Sequence, residues 1–270
     1  MDRYLKAFLA VVIFLLTQMI VSAIFLLVMF LSCYNEGGTD NECLELCETA
    51  EQRSVALLLL ISGAITVVAL YCMKMIDLTT LKKVRSLTVK DSVLAVAGAL
   101  SVIVFSNYVN EQLDLPDLLE ESFLMLSRGW FSFVVVGVVG PIVEETVFRE
   151  SILGELMRRG VGKWKAILIS ALSFGLVHIN PAQVPFAFAL GLVFGLIYVK
   201  TGNIVLTTLI HIINNCVSLY TIRIYGDDAS QYQLSDVFGN PAVSALVFTA
   251  VGLIGVYLLW LFNKSEVVKE

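Results

Sequence analysis

Pro141-Ile142-Val143-Glu144-Glu145-Thr146-Val147-Phe148-Arg149-Glu150 sets two adjacent carboxylates and an arginine at the end of an apolar run from Trp130 to Val143. Such a run is too hydrophobic for a soluble surface, so these charges fall at membrane depth. Ionisable residues there are costly and usually functional. Gly140 and Pro141, just ahead of them, permit a kink that turns the carboxylates towards a cavity. The chain has two histidines, His178 and His211, and both lie in apolar segments. Glutamates and histidines meeting inside a membrane point to chemistry on water.

The composition places this site in a polytopic membrane protein. Of 270 residues, 58% are hydrophobic and 15% charged, with a mean hydropathy of +0.85. A soluble domain carries about 25% charged residues. The net charge of -5 is segregated by loop and indicates no nucleic-acid partner. Lys6 followed by an apolar run from Ala7 to Leu31 is about twice as long as a signal-peptide core, which predicts an uncleaved first spanning helix. Five cysteines are present. Cys33, Cys43 and Cys47 share one polar stretch where a disulfide is feasible, but their pattern fixes no pairing.

The expected fold is all-α, a bundle of about eight transmembrane helices near 5–31, 54–76, 92–108, 129–150, 165–179, 183–200, 204–222 and 241–262. A span needs about 20 apolar residues, and the fifth is short. The fourth is expected to end in an interfacial segment around Leu153 to Met157. Loop charges set orientation. Arg3 and Lys6 place the N-terminus in the cytoplasm, and the acidic loop Asn35 to Glu51 lies outside. Lys74, Lys82, Lys83, Arg85 and Lys90 return the chain inside, and Glu111 to Glu121 mark the next outer loop. Arg158, Arg159, Lys163 and Lys165 are inside, as is Lys200. Asp227, Asp228 and Asp236 are outside, and Lys264 and Lys269 leave the C-terminus inside. Eight spans satisfy every loop. Localisation is therefore integral in a membrane of bacterial cytoplasmic type, with both termini cytoplasmic.

Two further polar clusters accompany the first: Phe174-Gly175-Leu176-Val177-His178 and His211-Ile212-Ile213-Asn214-Asn215. Residues i and i+4 share a helix face, so His211 aligns with Asn215, and Glu145 can pair with Arg149. At 1.5 Å per residue, Glu144, His178 and His211 lie about 21, 20 and 15 Å from their cytoplasmic ends. In a core about 30 Å thick all three fall near the midplane, where they can share one site.

Glu-Glu-x-x-x-Arg at 144–149, Phe-x-x-x-His at 174–178 and His-x-x-x-Asn at 211–215, in this order on late helices, resemble the CAAX protease and bacteriocin-processing family of intramembrane proteases. That family includes the type II CAAX prenyl endopeptidases and abortive-infection-type bacterial proteins. The resemblance divides the chain into N-terminal helices without motif (1–124), a protease-like core (125–222), and an outer loop with a last helix (223–270). It implies an eight-helix bundle and endopeptidase activity. Members are often described as metalloproteases, and a metal-free glutamate mechanism is also supported for the family.

On this reading Glu144 is the general base for water, and Glu145 is its positioner, ion-paired to Arg149. His178 orients the water or ligates a metal. His211 and Asn215 donate to a developing oxyanion. The plain alternatives are a structural ion pair, a hydrogen-bonded helix-end histidine, and interhelical polar glue. Phe174 and Phe148 read as packing, Asn214 as glue, and Gly191 and Gly195 as helix-contact positions. Cys72 and Cys216 lack evident partners. No cofactor is required by the sequence. A zinc ion, if bound, would take Glu144, His178 and His211 from separate helices, since His-Glu-x-x-His is absent. The expected partners are a peptide or membrane-anchored protein tail and the bilayer. Two rival readings stay open: an ion-coupled transporter, and a catalytically silent immunity or scaffold protein on the same fold.

Overall fold

Apolar segments of about 20 residues in a bilayer leave no water to satisfy their peptide groups, so each closes its hydrogen bonds internally as a helix. The computed structural model describes residues 4–77, 87–226 and 233–265, and among these the only regular structure is helical. In chain order the helices are α1 (Leu5–Asn35), α2 (Asp40–Cys72), α3 (Val89–Gln112), a short α4 (Glu120–Arg128), α5 (Trp130–Arg158), α6 (Lys163–Leu176), α7 (Val184–Thr201), α8 (Val205–Tyr225) and α9 (Pro241–Lys264). A 3₁₀ turn covers Leu234–Asp236.

Helix starts follow local chemistry. Thr39 caps α2 in a reciprocal box with Glu42, whose carboxylate accepts the Thr39 N–H at 2.8 Å. Thr88 accepts the Asp91 N–H at 3.1 Å to open α3. Asn240 accepts the Ala242 N–H at 2.9 Å ahead of Pro241, a residue suited to a first helical turn.

Helices α1, α2, α6, α7 and α8 pack around the irregular α5, while α3 pairs with α9 and packs on α7 and α8. Its residues Val147, Phe148, Ile152, Leu153 and Leu156 are wholly buried in the main core. Gly191 and Gly195 let α7 approach α6 closely: a methyl group at either would meet Ala171 or Ile167 at 2.9 Å or less. These glycines are bundle contacts, as expected. The face of α1 turns outward, with Phe8, Met19, Ile24, Leu27 and Val28 exposed to the surroundings. A disulfide joins Cys33 to Cys43 and ties the α1–α2 hairpin, while Cys47 is buried and free.

Contacts at the helix ends alternate as eight passes require. Lys6 reaches Glu155 at 3.2 Å and Lys200 reaches the Ser265 carbonyl at 2.6 Å, at one end. At the other, Asn110 donates to the Ala182 carbonyl at 2.8 Å and Glu111 accepts the Leu234 N–H at 2.6 Å.

Seven helices are long and apolar enough to cross a membrane among the described residues. The eighth expected span, α6, is short as expected, with 14 residues reaching about 21 Å. Leu153 and Leu156, near the end of α5, are wholly buried in the bundle. Two expectations need correction. The stretch expected as an outer loop from Asn35 to Glu51 is helical from Asp40, because the Thr39 box starts α2 well before its apolar part. Cys216 does have a partner, the Gly137 carbonyl at 3.7 Å. The readings placed on Arg3, Lys82, Lys83, Arg85, Asp227, Asp228 and Lys269 lie outside the described residues.

Candidate active site

The site grows from the way α5 departs from an α-helix. It widens to a π-helix at Val135–Val139, tightens to α at Gly140–Glu145, and widens again at Thr146–Gly154. Such π segments occur often at functional positions. Pro141 supplies no N–H. In i+5 register the orphaned acceptor is the Val136 carbonyl, and in i+4 register it is the Gly137 carbonyl. Both are taken by α8: Asn215 Nδ2 donates to Val136 O at 3.3 Å, and Cys216 Sγ to Gly137 O at 3.7 Å. α8 comes this close because Gly137 has no side chain; a Cβ there would lie 3.0 Å from Cys216 Sγ. The kink is thus locked to the helix that carries His211.

One turn on, the two adjacent glutamates part company. Glu145 is wholly buried and Arg149, also wholly buried, sits 3.1 Å from its Oε2 through Nε. This is an ion pair without hydrogen-bond alignment, and none of the three Arg149 nitrogens has a hydrogen-bond partner among the described residues. The guanidinium lies instead between two aromatic faces, 4.4 Å from the Phe174 centroid and 5.2 Å from that of Phe194, where the ring quadrupoles attract it. Glu145 Oε1 faces His211 Nδ1 at 3.2 Å. A carboxylate held beside an arginine accepts, so Nδ1 carries the hydrogen. The opposite nitrogen, His211 Nε2, faces Glu144 Oε2 at 3.6 Å. Glu144 is the partly open member, its side chain 24% accessible against 0% for Glu145.

His178 lies two residues past the end of α6, half-buried. Its Nδ1 is 2.7 Å from the Phe174 carbonyl, which can only accept, so Nδ1 bears the hydrogen and Nε2 a lone pair. The Phe174 ring meets His178 edge-on at 5.0 Å and His211 edge-on at 5.7 Å. Phe174 is therefore the hub on which Arg149 and both histidines pack. No hydrogen bond joins His178 to Glu144 among the described residues. Asn214 donates to Asn215 Oδ1 at 3.1 Å.

Zinc accepts the donor types of Glu144, His178 and His211, but their arrangement does not form its ligand set. Among the described residues, no three His, Cys, Asp or Glu side chains converge as a metal site. Glu144 and His211 adjoin, and His211 and His178 both pack on the Phe174 ring.

Sequence reasoning missed Phe194, which lies 5.3 Å from the His211 ring and covers Arg149. Nothing in its apolar surroundings distinguishes it. It also gave Glu150 no role. Glu150 is buried and accepts from Arg158 Nη1 and from the Tyr198 hydroxyl, each at 2.9 Å. Glu155 joins this polar knot through Arg158 Nε at 3.3 Å and also pairs with Lys6 at 3.2 Å and Arg159 at 2.6 Å. The knot fixes the basic end of α5 to α1 and α7.

Comparison with known proteins falls on the same segment. The family model Type II CAAX prenyl endopeptidase Rce1-like matches residues 126–217. "Membrane-embedded CAAX protease MroQ" of Staphylococcus aureus (strain USA300) is 34% identical over 101 residues, 35% of this chain and 41% of the relative. "Putative membrane peptidase YdiL" of Bacillus subtilis (strain 168) is 34% identical over 82 residues, 30% of this chain and 33% of the relative. The chain thus spans about two fifths of the first relative and one third of the second. No solved structure matches. The matched segment holds the whole of α5, α6 and α7 from Trp130 onward and α8 through Asn215, with every motif described above, and residues 126–217 are similar to the CAAX-type membrane protease family.

Proposed function

We propose that this protein is a membrane-embedded endopeptidase in which Glu144 activates a water molecule against a peptide carbonyl. The observation that carries this reading is the unequal fate of the two adjacent glutamates. Glu145 is spent on Arg149 and His211, while Glu144 is partly open beside His211. A base must reach the proton it removes, and Glu144 alone of the pair can.

Glu144 takes a proton from water, and the water oxygen adds to the carbonyl carbon. His178 Nε2, left with a lone pair, accepts the water's second hydrogen bond and orients it. His211 donates to the oxyanion. Its Nδ1 hydrogen is committed to Glu145, so the donating form is the imidazolium, with the second proton on Nε2. Asn215 uses one amide hydrogen on Val136 and keeps the other for the oxyanion. The proton held by Glu144 then passes to the leaving amine as the C–N bond breaks. A dry, preorganised donor pair of this kind contributes several kcal/mol.

The substrate is a peptide or a membrane-anchored protein tail. An apolar groove of about 350 Å³ between α1 and α6, lined by Phe8, Val11, Leu15, Ile169 and Leu176 among others, ends at Val177 and Ile179 beside His178. It supports approach from the bilayer side. No step is routed through a metal, since the candidate ligands do not converge. Protein stripped of metal, and clean by elemental analysis, should keep its turnover. Activity lost on stripping and restored by stoichiometric zinc would instead make His211 a ligand.

The test is a peptide library incubated with purified protein in detergent, with Glu144→Gln as control. Cleavage by the wild type alone supports the reading. No cleavage by the wild type, with proton or ion flux in vesicles, would favour a transporter.

A further inference from the structure

The chain turns back after α6, a helix of 14 residues. Buried irregular backbone persists only when protein satisfies its polar groups. His178 lies in this turn. The next residue, Ile179, has φ +59°. That is the left-handed region, which a β-branched side chain rarely adopts and which needs outside support to persist. The support comes from Asn180, which is 2% exposed. Its N–H donates to the His178 carbonyl at 2.6 Å, and its own carbonyl accepts the N–H groups of Gln183 at 2.9 Å and Val184 at 3.1 Å. Its side-chain Oδ1 accepts the Leu118 N–H at 3.0 Å, and Nδ2 donates to Asp117 Oδ1 at 2.7 Å. Both main-chain and both side-chain functions are engaged. The side-chain partners come from the loop between α3 and α4, more than 60 residues earlier.

We propose that Asn180, held by Asp117 and the Leu118 N–H, is a positioning residue that fixes His178 by keeping Ile179 in its left-handed conformation. This rests on the reading of His178 under Proposed function. Two restraints then act on His178. The Phe174 carbonyl sets its ring through Nδ1, and Asn180 sets its backbone. Without the second, Ile179 relaxes to negative φ, the His178 peptide rotates, and the hydrogen bond from Nδ1 is lost.

A residue that merely supports the fold would lower stability without selecting one histidine, so the test reads His178 itself. The chain has two histidines, and ¹⁵N-histidine NMR of the full-length protein in detergent resolves both, assigned with His178→Ala. The wild type should show His178 with hydrogen on Nδ1. Asn180→Ala should move or split the His178 ring signals and leave those of His211 in place, with kcat about ten- to hundred-fold lower and KM little changed. Ile179→Gly in the Asn180→Ala background should restore both readouts, because glycine holds positive φ without help. A second rescue exchanges donor and acceptor: Asn180→Asp alone sets two carboxylates together and should be impaired, and Asp117→Asn added to it should recover. His178 signals unchanged in Asn180→Ala would overturn the proposal, as would a change that neither rescue reverses. The spectrum decides this even where the wild type cleaves nothing, a result that would count against the proposed protease function instead.

Discussion

Glu144 and Glu145 are neighbours in sequence with opposite electrostatic surroundings, and the difference is made by Arg149. Its guanidinium is wholly buried, has no hydrogen-bond partner among the described residues, and is held by one carboxylate and two aromatic faces. Truncating one member of a buried ion pair strands the other, at a cost of about 3–5 kcal/mol. Arg149→Ala should therefore lower the thermal midpoint in detergent markedly. A midpoint equal to wild type with activity lost would place Arg149 in the chemistry rather than under it. Arg149→Lys should recover only part of the stability, since an ammonium cannot stack flat between Phe174 and Phe194. The i,i+4 spacing of Glu145 and Arg149 was legible in the sequence. The aromatic sandwich was not, because Phe194 comes from α7 and its approach depends on Gly191 and Gly195 packing against α6.

At the scale of the element, the shape of α5 decides where the carboxylates point. A kink was legible from Gly140 and Pro141, but the two π segments were not. A π turn is stable here only because α8 supplies donors for the carbonyls of Val136 and Gly137, and that is a tertiary fact. Pro141→Ala returns an N–H to the helix, which then competes with Asn215 and Cys216 for those carbonyls. The expected result is a folded protein whose kcat falls about ten-fold or more as Glu144 is misplaced. Turnover equal to wild type would show that the proline sets no geometry the chemistry uses. The start of α2 was also written in the sequence, as Thr39 and Glu42 three residues apart. Apolarity, used as the sole criterion for a span, hid it. The shortness of α6 was legible, but the turn that follows it, held by Asn180, required the distant residues Asp117 and Leu118.

For the whole molecule, the alternation of loop charge and the helix-end contacts agree with a topology in which seven helices and the shorter α6 each run from one end of the bundle to the other. We propose that the end carrying Lys6, Arg158, Lys163 and Lys200 is cytoplasmic, and that the end carrying the Cys33–Cys43 disulfide, Asp117 and Glu120 is external. Disulfides persist in oxidising compartments, which agrees with that side. In a Cys72→Ser background, Glu121→Cys should react with a membrane-impermeant maleimide in intact cells, and Lys163→Cys only after lysis. The reverse pattern would invert the topology. The motif order placed the site in the second half of the chain from sequence alone. The first half was silent, since α1 and α2 serve by burying α5, α3 packs on α7, α8 and α9, and none of the three carries its chemistry.

The central claim is that Glu144 removes the proton from the attacking water. The most direct measurement is the rate of peptide hydrolysis by purified Glu144→Gln protein relative to wild type, in one detergent and with thermal midpoints compared. Glutamine keeps the size and the hydrogen-bonding reach but cannot take a proton. The prediction is a rate at least about a thousand-fold lower, within and beyond the range of general-base effects, at an unchanged midpoint. A Glu144→Gln rate within a few-fold of wild type would contradict it.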